Sequence, residues 1–381
     1  MNTPVDTPLA RDSLIEDSAN RLFADTVDKA LRQRAEAGEL DATLWQQVVD
    51  SGFPLLLAAE RAGGFGQPWT AAYPVLRGLG YWQVPLPLAE TMVAALLASL
   101  AGFELPDLAA GPLTLIEQGQ GNQLQLESVA SAGGAGGAGG DAGSLQLSGT
   151  AHAVPWARHA QAALVSLADG RLAWLDLRAA PGVTVQAQTN HAGLPSDTVV
   201  LQQARLRATA PNPLALAQPV WTLGAVARSA MLVGALESAL AQAVQYASER
   251  VQFGKPIGKN QAIQQSLALM AGDVAAARVA ALVAAADAPC SVGHDCRATP
   301  FSTAVAKVRT GEAATRGTAI AHQVHGAIGF THEHALHFTT RRLWAWREEF
   351  GSDAYWAAEL GRAAIQARAA GFWPGLTDKH F

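Results

Sequence analysis

Charge and cysteine are both scarce in this chain. Charged residues fill only 15% of its 381 positions and nearly balance, leaving a formal net charge of −5. Neither a basic stripe nor an acidic tail is present, which argues against nucleic acid or an anionic membrane surface as partner. The two cysteines, Cys290 and Cys296, form no CxxC pair, so no zinc knuckle or dithiol centre is indicated. A reducing, cytoplasmic setting is the natural expectation. No unbroken apolar run of about 18 residues occurs, so a membrane span is not expected. The polar start MNTPVDTPLARDS carries no signal-peptide core either. What the chain does hold is small apolar side chains: hydrophobic residues make up 49%, many of them alanine. That composition favours closely packed helices, and the length calls for two or three packed units.

Three zones separate by texture, and together they predict a mainly helical α+β fold. Residues 1–110 read as an N-terminal α-helical domain. Apolar spacing near 3.6 runs through RLFADTVDKALRQRAEAG and DATLWQQVVDSGF, with Asp41 as N-cap and Gly52 as stop. Residues 111–213 read as a middle antiparallel β-domain. Its strands are expected at Gln123–Ser128, Ser144–Ser148, Ala162–Ser166, Arg171–Asp176, Val183–Gln186 and Thr198–Gln202. Between the first two lies SAGGAGGAGGDAG, which no helix follows. A hairpin insertion therefore fits it better than a phosphate loop. Residues 214–381 read as a C-terminal four-helix bundle. Met231, Leu232, Ala235, Leu236 and Ala239 mark one long helix, and Ile263, Leu267, Met270 and Val274 the next.

Between those two helices stands Glu249-Arg250-Val251-Gln252-Phe253-Gly254-Lys255-Pro256-Ile257-Gly258. An Arg at a helix end can fork onto phosphate oxygens, and an aromatic three residues later can stack on a base. A surface Arg and a packed Phe would look the same, so the residues alone leave both readings open.

The segment ERVQFGKPIGKNQAIQQSLA resembles the ERxQFGxPIGxxQ segment of acyl-CoA dehydrogenases. His322-Gln323-Val324-His325-Gly326-Ala327-Ile328-Gly329 is similar to their QxxGGxG segment. Leu44 to Gly66 resembles their LW…PEEYGGxG turn, and Pro87-Leu88-Ala89-Glu90-Thr91 recurs there too. The resemblance implies helical, β and four-helix-bundle domains, and FAD bound across a subunit interface. By position it implies that Arg250, Phe253, Gln323 and Gly326, with Ala327 as the second glycine of the pair, reach an FAD held mainly by a neighbour. It also implies an acyl-CoA substrate, a dimer or tetramer, and an electron-transfer flavoprotein as oxidant.

The reaction so implied removes an α-proton from an acyl thioester, and a carboxylate base is needed for that. Counted from Gly329, the base position falls on Phe350, which cannot take a proton; Gly351 and Ser352 follow where Gly and Thr are usual. The alternative base position, counted back from Glu249, falls on Gly224. Glu349 is the nearest carboxylate and is the candidate displaced base. In the β-domain, Leu113 to Gly121 scarcely matches the flavin-lining segment of the family. Trp156 is a candidate to stack beside the flavin, with core packing the equal alternative, and Ser352 a candidate cofactor contact. The residues supplied to a neighbour are thus kept, while those the chain would use itself are degraded. This suits one subunit of a heteromeric enzyme desaturating an acyl-CoA at Cα–Cβ. The alternatives are a non-catalytic subunit and a flavin monooxygenase or nitroalkane-oxidising relative. His322, His325, His332, His334 and His337 lie close in sequence but lack metal-ligand spacing, and no metal is expected.

Overall fold

The protein is described by a computed structural model covering residues 8–128 and 145–379, so the glycine-rich insertion, and the hairpin expected there, lie outside the described residues. Five helices open the chain: α1 (Pro8–Thr26), α2 (Lys29–Glu36), α3 (Ala42–Asp50), α4 (Trp69–Tyr81) and α5 (Leu88–Leu100). Asp41 caps α3 as expected, its carboxylate accepting from the Leu44 amide at 2.9 Å. Gly52 follows at φ +74°, the left-handed conformation that ends the helix. α5 is buried along its whole length, the centre of a layer rather than its skin.

The middle of the chain forms two four-stranded sheets. One has the order β1 (Leu113–Glu117), β4 (Ala162–Ser166), β5 (Arg171–Asp176), β8 (Ala208–Pro211). The other has the order β2 (Gln123–Ser128), β3 (Leu145–Pro155), β7 (Ser196–Arg205), β6 (Val183–Gln186). The expected strands all form. The expected antiparallel pairing holds except between β1 and β4, which run parallel from Leu113↔Ala162 to Glu117↔Ser166. The cause is topological. The chain leaves β1, builds β2 and β3 in the other sheet, and returns to the first, and such a crossover sets strands parallel.

The C-terminal part holds α6 (Pro219–Glu249), a two-residue hairpin of β9 (Val251–Gln252) and β10 (Lys255–Pro256), α7 (Gln261–Asp287) and α8 (Thr299–His325). α9 (Leu336–Glu348) and α10 (Asp353–Thr377) complete it. α6, α7 and α8 pack side by side, with α9 against α6 and α10 against α8. Both α6 and α7 are long and apolar enough to cross a bilayer, a property that counting unbroken runs does not reveal. For α6 the protein itself is the apolar surrounding, since 89% of its apolar window is buried; for α7 the share is 28%. Leu269, Val279, Leu282 and Val283 on α7 stay exposed.

α6 is shared between the bundle and the N-terminal helices, and glycine makes that sharing possible. A Cβ on Gly80 of α4 would lie 1.9 Å from the Met231 carbonyl oxygen, and one on Gly234 of α6 would lie 1.9 Å from that of Arg77. The two backbones touch there. Glu237, one helical turn on, is not the solvent-facing residue its polarity suggests, because Arg77 donates to it at 2.6 Å and it is only 15% exposed. Gly234→Ala should therefore lower stability by about 1–3 kcal/mol, the usual cost of overpacking. Gly272→Ala on α7, where a Cβ meets open space, should instead raise it by about 0.5–1 kcal/mol. Urea unfolding of the two variants checks the pair; equal effects would mean that the α4–α6 contact is looser than described.

Candidate functional site

A cleft of about 410 Å³ opens between the two sheets and the bundle. The sheet side supplies Ile116 and Glu117 from β1 and Asn190 from the loop before β7; the bundle side supplies Trp221, Glu349 and Phe350. Glu117 ends β1 and is almost fully buried, and its carboxylate accepts from the Trp221 amide at 2.9 Å, in the first turn of α6. Burial pushes its pKa up to about 7, against the pull of the amides at the helix start.

The candidate base, Glu349, lies immediately after α9, and both of its oxygens are engaged. Oε2 accepts from Arg228 Nε at 2.6 Å, and Oε1 from Asn190 Nδ2 at 2.9 Å. Arg228 is buried in the middle of α6 and also pairs with Glu90, equally buried on α5. Burial works against its charge, but the two carboxylates outweigh that and hold its pKa above the ordinary value. Glu349 is thus one end of an ion-pair chain that ties the α9 end to α6 and the β-domain. Its neighbour Glu348 is the solvated one, 52% exposed.

Phe350 and Gly224, the two positions where a base is expected, meet in space. A Cβ on Gly224 would come 2.5 Å from the Phe350 ring. That ring also packs edge-on to Trp221, centroids 6.0 Å apart, and under the Arg228 guanidinium at 5.4 Å. Phe350 stands at φ +54°, a conformation few side chains adopt, and Gly351 follows at φ +90°. The α9 end that presents them is held by Lys307. Its fully buried ammonium donates to the carbonyls of Trp346, Arg347 and Glu349 at 3.2, 3.0 and 2.8 Å. Burial lowers its pKa to about 7, while the helix C-terminus favours its charge.

Two other expected cofactor contacts are occupied otherwise. Trp156 is 4% exposed and packs in a small core with Ala35, Ala192, Leu194 and Ala345, so the core-packing alternative is the one realised. Ser352 is the N-cap of α10, its hydroxyl accepting from the Tyr355 amide at 3.2 Å.

The other expected group gathers at the far end of α6. Tyr246, one turn before Arg250, stacks on His325 at 4.6 Å, which joins the end of α6 to the end of α8. Arg250 and Phe253 thereby come to the same end as Gln323, Gly326 and Ala327, seventy residues on in sequence. All five are exposed, Phe253 completely so. Among the described residues the Arg250 guanidinium has no partner, and a Cβ on Gly326 would meet open space. An unpaired guanidinium, a bare aromatic face and an uncovered glycine fit a ligand carrying phosphate and a planar base. The histidines nearby stack on rings: His322 on Phe330 at 4.2 Å and His325 on Tyr246. Among the described residues no three His, Cys, Asp or Glu are grouped to hold a metal ion.

Sequence reasoning passed over Glu117, Arg228, Asn190 and Lys307. A signal existed for Arg228, since a lone cation inside a long apolar helix must be buried against something.

Comparison with known proteins agrees with this architecture. The family described as acyl-CoA dehydrogenase, C-terminal domain, matches residues 215–366. Acyl-CoA dehydrogenase FadE27 of Mycobacterium tuberculosis is 30% identical over 313 residues, covering 78% of this chain and 81% of that one. Acyl-CoA dehydrogenase IpdE2 of the same organism is 28% identical over 342 residues, covering 88% and 92%. Among solved structures, the ChsE4-ChsE5 complex from M. tuberculosis shares the fold at TM-score 0.78 and 22% identity, covering 97% of this chain and 99% of that one. The chain belongs to the acyl-CoA dehydrogenase family.

The buried carboxyl of Glu117 sets a pH dependence whose sign is fixed. Its folded-state pKa of about 7 lies above the ordinary 4.5, so between these values the native protein holds a proton that the unfolded chain has released. Stability then falls as pH rises through that window. From about pH 5 to pH 7.5 the wild type should lose on the order of 3 kcal/mol relative to Glu117→Gln, whose amide oxygen can still accept from Trp221. Urea midpoints across that range measure it, and parallel pH profiles would show that Glu117 does not titrate there.

Proposed function

We propose that the chain is one subunit of a heteromeric, FAD-dependent acyl-CoA dehydrogenase that desaturates an acyl-CoA thioester between Cα and Cβ. In this reading it completes a cofactor site centred on its partner. The observation that carries it is the contrast between the two ends of α6. At the C-terminal end Arg250, Phe253 and Gln323 are exposed, and the Arg250 guanidinium has no partner among the described residues. At the N-terminal end the cleft has Phe350 and Gly224 where a proton acceptor is required.

Bound FAD supplies the acceptor for the β-hydride. Arg250 is suited to donate to its pyrophosphate, Phe253 to offer a face to the adenine, and Gly326 to allow close backbone approach. All project away from their own chain, so the FAD they hold belongs to a neighbouring subunit. The uncovered apolar side chains of α7 suit burial in the same assembly. The ChsE4-ChsE5 structure is itself a complex of two chains, and FadE27 and IpdE2 are acyl-CoA dehydrogenases by name. On this reading the proton is removed by a carboxylate of the partner, and the assembly is cytoplasmic, with an electron-transfer flavoprotein as oxidant.

Arg250→Ala, made in the assembly purified with its partner, should weaken FAD binding by roughly 10- to 150-fold, the loss of one charge-assisted contact of about 1.5–3 kcal/mol. Equilibrium dialysis of the cofactor reads this directly, and an unchanged dissociation constant would remove Arg250 from the site.

A further inference from the structure

We infer that Arg228, by bridging Glu90 and Glu349, closes the inner end of this chain's own cleft, so that the cleft admits no acyl chain. The inference rests on the reading that chemistry takes place at a partner's site, and it names the residue that keeps substrate out of this one.

The bundle wall of the cleft ends on Glu349 and Phe350. Behind both lies Arg228, bonded to Glu349 at 2.6 Å and set against the Phe350 ring at 5.4 Å. Behind Arg228 lies Glu90, fixed on a helix that is buried from end to end. An acyl chain entering past Glu349 and Phe350 would have to displace the ion pairs that Arg228 makes behind them. At about 410 Å³ the cleft is near the small end of the ~300–1,000 Å³ usual for ligand sites.

Each of the three guanidinium nitrogens of Arg228 already faces a neighbour within the fold. Nε is on Glu349, Nη2 on Glu90, and Nη1 faces the Met231 sulfur at 3.1 Å. Entry would separate a charge from its partner away from water, which opposes binding by ~10²-fold or more. Two features reinforce the closure. Phe350 rests on Gly224, so the ring cannot retreat into α6. Asn190 ties Glu349 to the β-domain at 2.9 Å, so the wall cannot swing outward without breaking that bond.

The test removes all three charges at once, which leaves no buried ion unpaired. The variant Glu90→Gln, Arg228→Met, Glu349→Gln is purified with the partner subunit and titrated with octanoyl-CoA by calorimetry. Expected for the wild type is one octanoyl-CoA per pair of unlike chains, and for the variant a second site, a gain that structural damage would not produce. A wild type that already binds two, or a folded variant that gains none, overturns the inference. If the variant does not fold, the wild-type assembly is photolabelled with octanoyl-CoA carrying a terminal diazirine. Label on Trp221 or Phe350 of this chain overturns closure, and label confined to the partner upholds it. Loss of the cofactor-sharing reading is seen separately, as FAD affinity that does not respond to Arg250→Ala.

Discussion

A guanidinium in the middle of a helix of alanine, leucine and valine has to be met by carboxylates, and where those carboxylates lie dictates how the helices pack. Arg228 is met from two directions, by Glu90 on α5 and by Glu349 just past α9. Two elements that are far apart in sequence are thereby held at one point on α6. An ion pair of this kind adds little net stability over a well-packed apolar contact, but losing one member leaves a buried charge that costs several kcal/mol. Its effect is on arrangement. α5 cannot slide along α6, and the end of α9 cannot leave the cleft wall, without uncovering charge.

Around that point α6 divides into two halves with different work. The first half is sheathed on all sides, touching the α4 backbone through Gly80 and Gly234 and carrying Glu117 on its opening turn. The second half emerges, and at its end Arg250 and Phe253 project with no covering from their own chain. A helix rigidly seated at one end and bare at the other is a good carrier for residues that must reach a neighbour. Their position is fixed by the core while their side chains remain open.

Much of this was legible in the sequence because periodicity and turn chemistry report local structure. The Asp41 cap, the Gly52 stop, six of the eight strands of the two sheets and the two long helices follow from spacing and punctuation, whereas β1 and β8 were not expected. The parallel pairing of β1 with β4 was not legible, since it depends on which sheet each strand joins. Trp156 shows a different limit. An indole beside a cleft and an indole in a core read alike in sequence, and only the neighbours Ala35, Leu194 and Ala345 distinguish them. Glu349 shows a third. Its proximity to the expected base position was visible, but its engagement by Arg228, from 121 positions earlier in the chain, was not.

The cleft wall also shows how burial and helix ends are set against each other. Glu117 stands at the start of α6, where amide dipoles favour a negative charge, and Lys307 at the end of α9, where carbonyls favour a positive one. Burial opposes both, raising one pKa and lowering the other until each lies near 7. Neither group has an ion-pair partner among the described residues, in contrast with Arg228, whose two carboxylates outweigh the same penalty. Paired charge lies behind the cleft wall, while Glu117 and Lys307 hold the start of α6 and the end of α9. At Glu117, Glu349 and Lys307 the polar groups are thus bonded within the fold, while Glu348 at the cleft rim stays solvated. At the other end of α6 the Arg250 guanidinium has no partner among the described residues and is open to whatever subunit covers it.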